Sequence, residues 1–350
     1  MTTVRRRRLE LACLALGVAV LAGTVWTIGI ETLVRDLRTL GWGLAAILLV
    51  QSVDVLLNTG GWALVFPAGE RPVGAARLVA VRLAGDAVNY LTPSATIGGE
   101  LLRVRLLGPH VPSSVRWASV SAAKVGQSLG QAVFILLAIA LVLPGLAAER
   151  GWLGWPSAMA IAGAAALVAI APGVAFVRAV DHGFWTMIQG GLGRVRLGWL
   201  LPEAWGAPGR DLDATLARVG PWRASAALAC FVAGWAVGAL EIYLILRGVG
   251  AAVDWRTALA LEAGSVLVDG ILFFVPAKVG TQEGGKVVLF AALGLSPARG
   301  LTVGVVRRIR ELVYASLGLA ALAWITARGH AEPDDLAASG SMRSRTPGRA

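Results

Sequence analysis

The chain has 350 residues, 56% of them hydrophobic and 15% charged, with a formal net charge of +11. Soluble domains carry about a quarter charged residues, so the composition excludes a soluble globular protein and points to membrane-spanning helices. No basic soluble module carries the positive charge, which reads as positive-inside charge plus a basic tail rather than a nucleic-acid surface.

Residues 1–8, MTTVRRRR, form a basic cytoplasmic N-terminus. Leu9–Ile30 reads as an uncleaved first span, because no small-residue cleavage site ends it. Glu31–Leu40 is expected as a polar link and Gly41–Phe66 as a second span. On that span Gln51, Asp54 and Asn58 recur at spacings of three and four. They share one helical face, which must meet protein or water rather than lipid. Val73–Leu91 is semi-apolar and holds Arg77, Arg82 and Asp86. After a break, Glu100–Leu107 falls far short of the roughly 20 residues a span needs. The two arms read as a re-entrant hairpin, whose irregular centre must be satisfied by protein or a wet cavity. Val115–Leu143 is a span that Pro144 is expected to end. Ser121, Lys124, Ser128 and Gln131 lie on one of its faces, and Gly126 with Gly130 suits close helix packing. Residues 9–145 make a first repeat.

The second repeat covers residues 155–328. Trp155–Val177 is a plain span, and the cytoplasmic, arginine-rich loop 178–221 contains an amphipathic surface helix. Trp222–Leu246 is a span with Glu241, Gly234 and Gly238. Arg256–Val275 and Gly285–Leu293 form a second hairpin with Glu262 and Asp269. Gly300–Ala327 is the last span and carries Arg307, Arg308, Arg310 and Glu311. Residues 329–350 read as a disordered cytoplasmic tail.

The repeat rests on fixed offsets between DAVNYLTPSATIGGELLRVR and VDGILFFVPAKVGTQEGGKVV. Asp86 and Asp269 each stand seven residues before a proline, Pro93 or Pro276. Gly98 and Gly99 match Gly284 and Gly285, and nine residues on come Gly108 and Gly294. Sixteen more lead to Lys124 and Arg310. Three crossings per copy invert the second copy against the first. The fold expected is therefore all-α: a polytopic helical membrane protein of about six full spans plus two re-entrant broken-helix hairpins, in two inverted repeats.

Helices restarting at the glycine pairs would aim free amides into a cavity and favour an anion. Lys124, Lys278 and Lys286 are the only lysines, and all lie in the paired units. Charges at membrane depth are costly, so their retention suggests a polar pathway. The plainer alternative is local pairing, Glu100 with Arg103 and Arg307 with Glu311, at helical spacing. Asp86 and Asp269 suit proton coupling, helix capping or ion pairing equally. Cys13 and Cys230 suit buried packing thiols, and His110, His182 and His330 fall in loops. No catalytic motif or metal-spaced cluster is present, so neither an enzyme nor a cofactor is expected.

The strings YLTPSATIGGELLRVRLL and FFVPAKVGTQEGGKVVLFAALGLSP, followed by VVRRIREL, resemble the lysylphosphatidylglycerol synthase transmembrane-region family, nearest its hopanoid-associated subgroup. The resemblance covers roughly residues 9–328. It implies lipid handling, the flippase-like movement of a polar-headed lipid between leaflets or toward another membrane, in a bacterial inner membrane. The basic side chains add a cavity suited to a polar- or anionic-headed lipid, and the positive-inside count puts both termini in the cytoplasm. The soluble transferase domain of bifunctional members has no counterpart here, so synthase activity is not implied. The first-copy residues implied to meet substrate are Asp86, Asn89, Pro93, Gly98, Gly99, Glu100, Arg103 and Arg105, with Lys124. The second copy contributes Asp269, Pro276, Lys278, Gln282, Glu283, Gly284, Gly285, Arg307, Arg310 and Glu311. Thr92 and Lys278 depart from the subgroup pattern. The alternatives are a proton-coupled small-solute transporter using Asp86, Glu262 or Asp269, and a non-transporting accessory to a lipid-synthesis enzyme. Partners compatible with these readings are the bilayer, a lipid substrate, further copies of the chain or such an enzyme.

Overall fold

A computed structural model describes residues 30–67, 73–91, 97–151, 154–194, 196, 206–271 and 281–343. The described residues form helices and no strand. In order these are α1 (Ile30–Leu40), α2 (Gly43–Leu64), α3 (Ala75–Leu91), α4 (Ile97–Leu106), α5 (Ser113–Arg150) and α6 (Trp155–His182). They continue as α7 (Phe184–Arg194), α8 (Gly206–Leu216), α9 (Pro221–Gly248), α10 (Trp255–Ile271), α11 (Thr281–Ala292) and α12 (Pro297–Arg343). Five of them, α2, α5, α6, α9 and α12, are long and apolar enough to cross a membrane. The chain is thus an all-α polytopic membrane protein. The expected first span, Leu9–Ile30, lies outside the described residues apart from Ile30.

Several expectations are corrected. Glu31–Leu40 is not a link but most of α1. Its polar residues occupy one face, while Leu37 and Leu40 pack beside Ile245 and Phe290. Glu31 in its first turn and Arg38 in its last suit the helix dipole. Pro144 does not end α5, which runs through it to Arg150 and stops at Gly151 with φ +64°. A proline deletes one backbone bond, which the long apolar helix around it tolerates. The loop after α6 holds two short helices, α7 and α8, rather than one. Finally, α12 extends to Arg343, over part of the segment read as tail, while residues 344–350 lie outside the described residues.

The equivalent helices of the two repeats run antiparallel. Arg223 at the start of α9 donates to the carbonyl of Leu64 at the end of α2, 3.1 Å away. Further along, Phe231 packs on Gly61 and Gly234 on Asn58 and Asp54. As one number rises the other falls, which two oppositely oriented repeats require. The hairpin helices then exchange partners. First-repeat α3 packs on α12, where a Cβ at Gly318 would meet the Leu83 carbonyl at 2.2 Å. Second-repeat α10 packs on α5, where Gln131 reaches the Val266 carbonyl at 3.5 Å.

The core lies between these helices. Phe231, Phe176, Trp62 and Leu107 are fully buried in one cluster, and Gly126 on α5 leaves room for Phe231 and Phe176, since a Cβ there would stand 2.6 and 2.8 Å from their rings. Off the spans, Asp213 on α8 accepts from the amides of Trp185 and Thr186, both at 2.9 Å. It thereby caps α7 and fixes the two short helices together. Gly183 (φ +103°) makes the approach possible, because a Cβ would lie 2.3 Å from the Asp213 carboxylate.

Candidate functional site

The polar stripe on α2 faces α9, and α9 presents glycine to it. A Cβ at Gly234 would stand 2.6 Å from Asn58 Nδ2 and 3.0 Å from Asp54 Oδ1. One turn on, a Cβ at Gly238 would stand 2.1 Å from Glu262 Oε1. Small residues here make space for polar heads inside the bundle.

A first charged cluster joins α3, α4 and α5. Arg103 donates to Asp86 and pairs with Glu100 at 2.8 Å. Lys124 reaches Glu100 at 3.3 Å, and Arg82 Nε approaches Asp86 at 3.4 Å. Arg103 also lies 5.9 Å over the Trp62 ring, a favourable site for a cation. The expected Glu100–Arg103 pair therefore forms, inside a larger network.

A second cluster joins α9, α10, α11 and α12. Arg307 donates to Glu262 at 2.6 Å and to the Gly238 carbonyl at 2.8 Å, and its Nε stands 3.0 Å from Glu241. Arg310 donates to Glu241 as well. Arg308 donates to Glu283 at 2.9 Å and to the Tyr90 hydroxyl at 2.7 Å, so it bridges the two hairpins. Glu311 pairs with Arg308 at 3.4 Å and with Arg310 at 3.8 Å. The expected Arg307–Glu311 pair is thus replaced by partners on other helices, where a buried guanidinium finds two carboxylates instead of one.

Two chambers open between the clusters, of about 180 and 220 Å³, and both are lined by Gln51, Asp54, Arg310 and Glu311. The first adds Glu241, Glu262, Asp269, Gln282, Lys286 and Arg307. The second adds Arg82, Asp86, Tyr90 and Tyr314. Together they present six carboxylates (Asp54, Asp86, Glu241, Glu262, Asp269, Glu311) against four cations (Arg82, Lys286, Arg307, Arg310). Among the described residues, with Lys278 outside them, the lining is of mixed charge rather than basic. The reason is energetic: a guanidinium out of water is tolerated when it brings its carboxylate with it.

The glycine pairs also differ from expectation. The Gly99 amide is not free for an anion: it donates to Asn89 Oδ1 at 2.7 Å. A Cβ at Gly99 would stand 2.1 Å from the Gly85 carbonyl, so glycine here serves the close crossing of α3 and α4. Gly285 similarly faces Val268, with 2.9 Å available to a Cβ, and Gly98 and Gly284 sit beside them in the first turns of α4 and α11. Glu283 is buried in that turn of α11, and Gln282 donates to Asp269 at 3.3 Å. Arg105 is exposed and lines neither chamber. Lys124 ends the first cluster but lines neither chamber. Pro93, Thr92, Pro276 and Lys278 lie outside the described residues.

Glu262, Lys286 and Arg308, which the sequence marks as candidates for coupling or for the polar pathway, join the site, and Asp54, Arg82, Tyr90 and Glu241 complete it although the sequence pattern does not single them out as substrate residues. For Asp54 the signal is its place in the α2 stripe. For Glu241 it is a lone carboxylate on an otherwise apolar span, three residues after Gly238.

A family model described as the lysylphosphatidylglycerol synthase TM region matches residues 14–318. A UPF0104 membrane protein of Methanothermobacter thermautotrophicus is 25% identical over 334 residues, covering 88% of this chain and 93% of that protein. No solved structure matches the chain significantly.

Proposed function

The chain belongs to the lysylphosphatidylglycerol synthase transmembrane-region family, and on that premise we propose that it is a transporter moving a polar-headed lipid between the leaflets of a cell's inner membrane. The observation that carries this reading is an inversion of polarity. Leu49, Leu56, Leu167 and Val288 face outward, while Glu241, Glu262, Lys286 and Arg307 are buried within the bundle. Charges at membrane depth persist where they line a wet or protein-filled path. Each chamber is smaller than the roughly 300 Å³ at which drug-sized ligand pockets begin. A headgroup fits such a space while the acyl chains stay in the bilayer.

At about 1.5 Å per residue, α4 is near 15 Å long, about half the hydrocarbon core, which supports hairpin arms that re-enter on one side rather than cross. The first hairpin opens to the cytoplasm and the second to the opposite side. Rocking of one inverted repeat against the other would turn the chambers from one face to the other. The mixed charge of the lining favours a head that offers both donors and acceptors over one selected by negative charge alone.

Native mass spectrometry of the purified full chain tests the reading. Phospholipid adducts should be retained by the wild type and lost from Val237→Trp, which fills the first chamber. Equal adducts on both, or none on either, would oppose it.

A further inference from the structure

Among the chamber carboxylates Asp54 and Asp269 are held by neutral carboxamides alone, Asp269 by Gln282, and of the two only Asp54 lines both chambers. Its Oδ1 accepts from Asn58 Nδ2 at 2.7 Å and its Oδ2 from Gln51 Nε2 at 3.0 Å. Both donors are neutral carboxamides, and among the described residues no cation lies within salt-bridge distance. Asp86, Glu100, Glu241, Glu262, Glu283 and Glu311 each have such a partner. Asp54 also lines both chambers, near the middle of α2.

We propose that Asp54 is a proton-binding site that exchanges with either chamber and couples proton movement to the swing of the repeats. Oxygen geometry favours a proton over a metal cation. A cation needs a cage of about six oxygens, whereas the groups on Asp54 are amide donors. Among the described residues no carboxylate, histidine or cysteine cluster could hold a metal. A neutral carboxyl still accepts from both amides, so proton uptake leaves the local frame in place. What changes is the charge seen by the neighbours. Arg82 and Asp86 face Asp54 from α3, and Arg310 from α12. Glu311 on α12 and Glu241 on α9 share its cavity. Neutralising Asp54 withdraws the attraction that Arg82, in the first repeat, and Arg310, in the second, exert on α2. The charge state of one carboxyl thereby bears on how the two halves sit together.

The coupling part rests on the transport reading above, and the proton site does not. Infrared difference spectra of the full chain in phosphatidylglycerol–phosphatidylcholine vesicles, taken across a pH titration, test the site directly. A titrating carboxyl band should be present in the wild type, absent from Asp54→Asn, and retained in Asp269→Asn and Glu241→Gln. In Asn58→Ala its midpoint should move, which also covers the case that Asp54→Asn does not fold. A band unchanged in Asp54→Asn, or unmoved in Asn58→Ala, overturns the site. Translocation of acyl-labelled fluorescent phosphatidylglycerol, phosphatidylethanolamine and phosphatidylcholine in the same vesicles tests the coupling. An imposed pH gradient should accelerate the wild type and leave Asp54→Asn unaffected. Acceleration of both overturns coupling through Asp54. Absence of any translocation refutes the transport reading and, with it, the coupling, while the infrared band decides the proton site separately.

Discussion

Arg307 on α12 reaches Glu262 on α10 at 2.6 Å, although 45 residues separate them in the chain. The same guanidinium holds Glu241 of α9 at 3.0 Å, so one side chain pairs with two buried acids, of which Glu241 also has Arg310. The asymmetry predicts unequal mutants. Arg307→Met strands Glu262 and leaves Glu241 to Arg310 alone, and should cost about 3–5 kcal/mol. Glu262→Gln leaves Glu241 in place and should cost much less. Thermal unfolding in detergent ranks the two, and equal losses would contradict the shared pairing.

Glycine positions give a second contrast. Gly99→Ala puts a methyl 2.1 Å from the Gly85 carbonyl and must separate α3 from α4. Gly163→Ala on α6 meets nothing within 4 Å and should stabilise by about 0.5–1 kcal/mol through reduced backbone entropy. Melting temperatures should therefore fall for the first and hold or rise for the second.

The α7 cap is testable by hydrogen exchange. Asp213→Ala removes the acceptor of the Trp185 and Thr186 amides, an N-cap loss of about 1 kcal/mol. Exchange should accelerate over residues 184–194 and stay unchanged in α9 and α12. Spread of the effect into α12 would show that the short helices do more than pack on the surface.

Asp254 provides a pH dependence outside the spans. The Thr257 side chain, then its backbone amide at 2.9 Å, holds this carboxyl below its usual 3.8. The folded value is depressed, so the stabilisation is present above 3.8 and is lost as pH falls through the lower folded value. Asp254→Ala should lower the melting temperature at neutral pH, and the gap from wild type should close in strong acid. A gap independent of pH would contradict the cap.

The sequence carries the bilayer class, five of the expected spans and the repeat plainly, because hydropathy and fixed offsets are local or periodic signals. Glu31–Leu40 is misread as a link because its apolar positions are few, and only their packing on the second core cluster makes them a helix face. The site is legible in outline. Asp86, Glu100, Arg103, Arg307 and Arg310 do gather in buried charge networks. Their partners are not legible, since helical spacing offers Arg307 only Glu311, whereas the fold supplies Glu241 and Glu262 from other helices. The net sign of the chambers follows from those partners and from nothing local.

Dithionite bleaching of fluorescent phosphatidylglycerol, phosphatidylethanolamine and phosphatidylcholine in proteoliposomes tests the central claim most directly. With the purified chain present, bleaching of at least one probe should pass the half of the label that faces outward, and Val237→Trp should return it to that half. Bleaching that stops at the outer leaflet for every probe, or passes it equally in Val237→Trp, would contradict passage of a headgroup through the charged chambers.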